Sequence, residues 1–159
     1  MLTQESRHTL IWITDLLKRL NIPFQIAGGL AAIIYGATRP LNDIDIDIPE
    51  DQFDLVVDAL KEFIIFGPQQ FKDENWDLLL MTLNYQRQSI DISGAHHTKI
   101  FNQATSTWQA ITTDFSNVVV KNINGLLLPV IPWKELVSYK KILGREADLL
   151  DLVELTGQH

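Results

Sequence analysis

The chain has 159 residues, and thirteen basic against twenty acidic side chains give it a net charge of −7. Its length fits one domain with a buried core, and 46% hydrophobic with 21% charged residues is ordinary globular composition, which excludes disordered and collagen-like classes. With no cysteine, disulfides and thiolate zinc sites are excluded and a reducing cytoplasm is the expected setting.

In chain order, Leu10, Ile13, Leu16, Leu17 and Leu20 recur at helical spacing, so residues 3–20 are predicted to form an amphipathic helix ended by Asn21 and Pro23. The opening MLTQESRHTL lacks the pattern of a signal peptide. Phe24–Ala27 reads as a short strand, Gly28-Gly29 as a turn and Leu30–Tyr35 as a helix that Gly36 terminates. The weakly polar run from Ile26 to Ala37 is too short for the roughly 20 residues that span a bilayer, so no membrane partner is expected. DIDIDI at 43–48 alternates as a strand with one carboxylate face and one isoleucine face. Pro49-Glu50-Asp51 then opens a helix whose acids complement its dipole. Asp77–Leu83 and Gln88–Ser93 are predicted strands. Val118–Ile123 and Leu126–Val130, joined by Asn124-Gly125, form a hairpin, and Trp133–Leu143 and Glu146–Leu155 are two closing helices split by Gly144. No repeat or linker interrupts this order, so residues 1–159 are read as one α+β domain.

The charge excess has one address. Between Pro40 and Leu60 stand Asp43, Asp45, Asp47, Glu50, Asp51, Asp54 and Asp58 with no Lys or Arg; elsewhere acids and bases balance. Three aspartates two residues apart on a strand point the same way, about 6–7 Å from one to the next. Like charges so close oppose each other's ionisation unless something positive lies between them. A solvent-facing edge strand is the plain alternative, but it more often carries lysine or mixed signs. A divalent cation explains the pattern better, because Mg²⁺ is held by one or two carboxylates plus substrate phosphates. An EF-hand is rejected, since Ile48 and Asp54 stand where its loop needs Gly and Glu. Asp91, between Ser89 and Ser93 on a similarly alternating strand, completes a candidate two-metal cluster and is the candidate general base.

Phosphate needs donors and cations. Gly28 and Gly29, at a strand-to-helix turn, expose backbone N–H groups suited to an anion, although a glycine pair alone is more often only a tight turn. No P-loop motif occurs. Arg39 is the only base between Arg19 and Lys61, and Lys140 and Arg145 are favoured as triphosphate contacts over Lys121 and Lys134. Asp148 and Asp151 are expected to cap or orient. His96 and His97 read as loop residues, and Asp47 as a support behind the metal ligands. Trp12, Trp76, Trp108 and Trp133 are expected in the core or in pocket walls, with sequence unable to choose which would stack on a base. A net charge of −7 argues against duplex nucleic acid as partner.

With GG, then R-x-x-x-D-I-D-I, then a later strand aspartate, the chain resembles the polymerase-β-like nucleotidyltransferase superfamily. AGGLAAIIYGATRPLNDIDIDIP is similar to small bacterial members, including lincosamide and aminoglycoside nucleotidyltransferases. VIPWKELVSYKKILGREADLLDLVEL is similar to the closing helices of abortive-infection and toxin–antitoxin nucleotidyltransferases. The likeness covers residues 24–48, 88–93 and 129–155. It implies a mixed sheet flanked by helices, with Gly28 and Gly29 on the triphosphate and Asp43, Asp45 and Asp91 on magnesium, two ions in all. Lys140 is implied as a phosphate contact. Leu30 departs from the small polar residue usual there, so side-chain help to phosphate is not expected. The implied reaction moves a nucleoside monophosphate from an NTP to an acceptor hydroxyl, releasing pyrophosphate. The acceptor stays open among antibiotic, tRNA end and protein side chain, and the partner between a homodimer and a cognate antitoxin. A non-catalytic nucleotide- or partner-binding domain and a D-x-D glycosyltransferase are the alternatives.

Overall fold

In the computed structural model, which describes residues 2–157, the chain opens with helix α1 (Gln4–Arg19). Thr3 caps it by accepting from the Ser6 backbone N–H at 3.0 Å, and Lys18 and Arg19 meet the negative end of its dipole. A short strand β1 (Gln25–Ala27) runs directly into α2 (Gly28–Ile34), so the helix begins at the glycine pair rather than at Leu30. Then follow β2 (Asp43–Ile48) and α3 (Phe53–Leu60), which a 3₁₀ turn over Glu50–Gln52 introduces. Five strands come next: β3 (Ile64–Lys72), β4 (Trp76–Tyr85), β5 (Gln88–Gly94), β6 (Thr98–Asn102) and β7 (Thr107–Ile111). The hairpin of β8 (Val119–Ile123) and β9 (Leu126–Val130) leads to α4 (Trp133–Leu143) and α5 (Glu146–Leu152), and a π-helical turn runs on to Gly157. Gly144, at φ +58°, provides the left-handed step between the last two helices.

All nine strands join one sheet in the order β7-β6-β4-β5-β2-β1-β9-β8, with β3 on β4. It is mixed: β2 runs parallel to β5 and β1 to β9, and the other pairs are antiparallel. The expected α+β fold with closing C-terminal helices is present. β3, β6 and β7 are additions to the predicted elements.

The alternation of DIDIDI decides which way the sheet faces. Ile44, Ile46 and Ile48 are fully buried and join Leu10, Ile13 and Leu17 of α1 and Phe53, Val56 and Leu60 of α3 in one hydrophobic cluster. Burying each isoleucine contributes about 1.5–3 kcal/mol. A strand has period two, so the aspartates between them must point to the opposite face. There they meet α4 and α5 across a cleft. No helix among the described residues is long and apolar enough to cross a membrane.

Candidate active site

The parallel register of β2 and β5 sets Asp45 opposite Asp91, with Asp43 opposite Ser89 and Asp47 opposite Ser93. Paired strands lie about 4.8 Å apart, so the Asp45 and Asp91 carboxyls stand side by side. Asp43 is exposed at the open end, while Asp45 and Asp91 are half-buried. On β4, Thr82 stands across from Asp91 and its hydroxyl donates to Asp91 Oδ1 at 2.6 Å.

No Lys, Arg or His forms an ion pair with these carboxylates among the described residues. Their acidity reflects the crowding. Burial, and then the charges of Asp91, Asp43 and Asp47, push Asp45 up to about 8, against a pull from the Gly29 N–H. Burial also raises Asp91, partly offset by Thr82, and holds Asp47 at about 6 despite a 2.8 Å hydrogen bond from Gln25 Nε2. Three acidic groups crowded this way, with no cation among them, form a donor set that fits a divalent ion. Among the described residues no three His, Asp or Glu side chains are already arranged around a common metal position.

The glycine turn is built against this cluster. Gly28 has φ +58°, and a Cβ there would overlap the Asp45 carboxylate. The Gly28 N–H donates to the Tyr139 hydroxyl at 2.8 Å, which ties the start of α2 to α4. A Cβ on Gly29 would come within 2.7 Å of Arg39 Nη2. Gly28 is therefore required for close approach to an anion, and Gly29 packs beside the guanidinium end of Arg39.

Arg39 is held by a bidentate pair with Asp151, at 2.6 and 3.0 Å. Asp151 also accepts from Lys140 Nζ at 2.9 Å, and Lys140 reaches Asp148 at 3.2 Å. Asp148 in turn holds Arg145 Nε at 2.7 Å and accepts from the Arg145 backbone N–H, forming the N-terminal cap of α5. Asp148 and Asp151 orient, as expected, and both are fully buried. Lys140 is enclosed, the residue being 1% exposed, and its ammonium is shared by two aspartates, so it anchors the network at the cavity wall. Arg39 and Arg145 stay accessible and strongly basic. Asp151 raises Arg39, and Asp148 raises Arg145 against the opposing effect of burial.

The carboxylates of β2 and β5, the glycine turn, Arg39 and Arg145 line a cavity of about 910 Å³. Trp76 forms part of its wall, edge-on to Tyr139 with centroids 6.2 Å apart and with the Arg145 guanidinium 5.8 Å from its ring. The other tryptophans lie elsewhere: Trp12 stacks on Tyr85, Trp108 packs against Phe101, and Trp133 starts α4 partly exposed. His96 and His97 lie in the bend after β5, where His97 is exposed beside Glu50. Gln109–Thr113 and Phe71 also face the cavity, from β7, the loop after it and β3. No sequence signal marked them, because those strands were not predicted.

The model of the aminoglycoside-2''-adenylyltransferase family matches residues 9–155. The chain belongs to this family. It is a nucleotidyltransferase, as the polymerase-β-like resemblance implied. Among curated proteins none matches it significantly. The structure is similar to that of a Thermotoga maritima protein described as a candidate nucleotidyltransferase, with TM-score 0.76 and 19% identity over 100% of this chain and 97% of that one. It is similar also to the lincosamide adenylyltransferase LnuA, solved with lincomycin (0.66, 17%, 99% of each chain). The antibiotic-resistance factor ANT(2'')-Ia superposes at 0.61, with 14% identity over 96% of this chain and 82% of that one. For this adenylyltransferase-family chain the glycosyltransferase alternative falls away.

Proposed function

We propose that this chain, as a single domain, transfers a nucleoside monophosphate, AMP first among the candidates, from an NTP to a hydroxyl of a small-molecule acceptor in a magnesium-dependent reaction. The observation that carries the reading is the register pair Asp45–Asp91 with Asp43 beside it, packed against the Gly28–Gly29 turn at one cleft that Arg39 and Arg145 also line. The family supports adenylyl transfer, and the neighbours bring the acceptor class: LnuA is seen with lincomycin and ANT(2'')-Ia with adenylyl-2''-tobramycin.

Asp43 and Asp45 would hold magnesium, with Asp91 as the third carboxylate; two ions fit the count of carboxylates. Magnesium held there would supply charge neutralisation to the substrate phosphates. The protein's own groups do the rest. The glycine turn, Arg39 and Arg145 receive the triphosphate. Asp91, with Oδ1 occupied by Thr82, keeps Oδ2 for the acceptor hydroxyl and takes its proton as the acceptor oxygen bonds to the α-phosphorus. The bond from that phosphorus to the bridging oxygen breaks, and pyrophosphate leaves with the electron pair. Positioning and electrostatics carry the rate, and no covalent enzyme intermediate is required.

Pyrophosphate release from ATP with lincomycin or tobramycin as acceptor tests this. Asp43→Asn and Asp45→Asn are each expected to lower kcat about 100-fold or more. Turnover that survives either substitution, or that ignores EDTA, would remove the assignment.

A further inference from the structure

A second row of side chains lies beside the carboxylate pair. One step further along the strands, Asp47 stands opposite Ser93, with Gln25 across from Asp47 on β1 and Leu80 across from Ser93 on β4. All four line the cavity. Their hydrogen bonding is out of balance. Gln25 Nε2 donates to Asp47 at 2.8 Å, yet Gln25 is 1% exposed and its Oε1 has no donor. Asp47 forms no ion pair among the described residues. The row therefore offers a carboxylate and a buried carbonyl oxygen to a donor the protein does not supply. Buried acceptors are nearly always satisfied, and the transfer step leaves this one unused. The strand repeat puts the row about 6–7 Å from the Asp45–Asp91 row. Beside it the cavity-facing side of β4 turns apolar: Leu80, Leu78 and Trp76, at alternate positions, form the wall.

We propose that Asp47 and Gln25 recognise an ammonium group of the acceptor, carried about 6–7 Å from its reacting hydroxyl on a molecule whose apolar face rests on Leu80, Leu78 and Trp76. This rests on the reading above, in which Asp91 receives that hydroxyl. An ammonium brings three donors and one positive charge, enough for the Asp47 carboxylate and Gln25 Oε1 together. A neutral hydroxyl brings one donor and leaves the carboxylate uncompensated. A polycation gains little more from the β4 side of the row, because Leu80, Leu78 and Trp76 offer no further acceptor there. The preferred acceptor is thus an amphipathic amino alcohol with one charge at this point.

Calorimetric titration without nucleotide or magnesium separates this inference from the transferase assignment. The probes are lincomycin, with one amine and an apolar flank, tobramycin, a polycationic aminosugar, and a neutral trisaccharide. The wild type is expected to bind lincomycin best, and Asp47→Asn to weaken that binding about 10- to 100-fold, the range for losing a hydrogen bond to a charged group. Gln25→Met is expected to weaken it in the same direction. Equal affinity of wild type and Asp47→Asn for lincomycin, no binding by the wild type, or a preference for tobramycin or the trisaccharide overturns the proposal. Titration with Mg²⁺ alone provides a further check: if Asp47→Asn abolishes metal binding, Asp47 is a metal ligand and the proposal falls. Lincomycin binding that depends on Asp47 in a protein that fails to release pyrophosphate would strike the transferase reading and leave this one standing.

Discussion

At Asp45, function and stability pull against each other. Its carboxyl is held at about 8, well above the value of about 4 in an unfolded chain, first by burial and then by its acidic neighbours. The folded protein therefore holds more protons than the unfolded one between roughly pH 4 and 8, and stability falls as pH rises through that window. Asp91 and Asp47 are raised chiefly by burial and steepen the fall. Urea unfolding in EDTA is expected to show a metal-free protein weaker at pH 8 than at pH 5. Asp45→Asn is expected to regain stability at pH 8, on the order of a few kcal/mol, because the asparagine carries no charge to desolvate or to repel Asp91, and to lose turnover. A flat profile in the wild type would contradict the crowding described here. Gly28 poses the complementary test. Gly28→Ala meets both a left-handed backbone and the Asp45 carboxylate, so a loss of about 1–3 kcal/mol is expected together with loss of activity. Gly144→Ala meets the same φ of +58° with only an ordinary contact to Lys141 O at 3.8 Å, so in thermal melts it isolates the backbone share of that cost.

At the scale of elements, α4 and α5 are joined to the loop before β2 by charge as well as through the apolar core that Leu136, Val137 and Ala37 share. Lys140, Asp148 and Asp151 are buried together, and Arg39 and Arg145 close the two ends. Breaking a buried pair costs more than the pair is worth, because one charge is left stranded. Asp151→Asn leaves Lys140 with a single acidic partner inside the protein, and a loss of about 3–5 kcal/mol is expected. Lys140→Met is expected to cost less, since Asp151 keeps Arg39 and Asp148 keeps Arg145. Denaturant titration of the two variants and of the double variant checks the order, and the double is expected to be less than additive. The reverse order would mean that the two buried aspartates depend on the Lys140 charge more than Lys140 depends on Asp151.

Across the whole molecule, ligand and fold are linked through the cleft. A nucleotide–magnesium complex that binds only the folded chain adds about 2.7 kcal/mol at a hundredfold excess over Kd. For a chain of this size that amounts to a rise in Tm of roughly 5–10 °C. Differential scanning fluorimetry is expected to show the rise with ATP and magnesium together, and to lose it with EDTA or in Asp43→Asn. Much of this architecture was legible in the sequence because DIDIDI serves two purposes: its isoleucines announce a strand and its aspartates announce what the other face meets. The alternation around Asp91 was readable in the same way, and register pairing then brought it opposite Asp45. β3 was hidden by Gly67-Pro68, which reads as a turn yet lies inside the strand. β6 and β7 were hidden by short, mixed segments, TKIFN and TWQAI. The post of Lys140 was unreadable for a different reason. A lysine among Lys141 and Arg145 looks like any exposed base, and only the meeting of α4 with α5 encloses it.

That enclosure has a consequence for descent. Positions 39, 140, 145, 148 and 151 share one account of charge, but not equally: loss of Lys140 leaves Asp151 with Arg39 and Asp148 with Arg145, whereas loss of Asp151 takes a partner from both Lys140 and Arg39. A homologue that drops Asp151 should therefore have changed at 39 or 140 as well, while an apolar residue at 140 can stand beside an unchanged 148 and 151. Substitution at 151 is expected to come in company, while the neighbouring exposed positions Lys141, Glu146 and Leu149 vary independently.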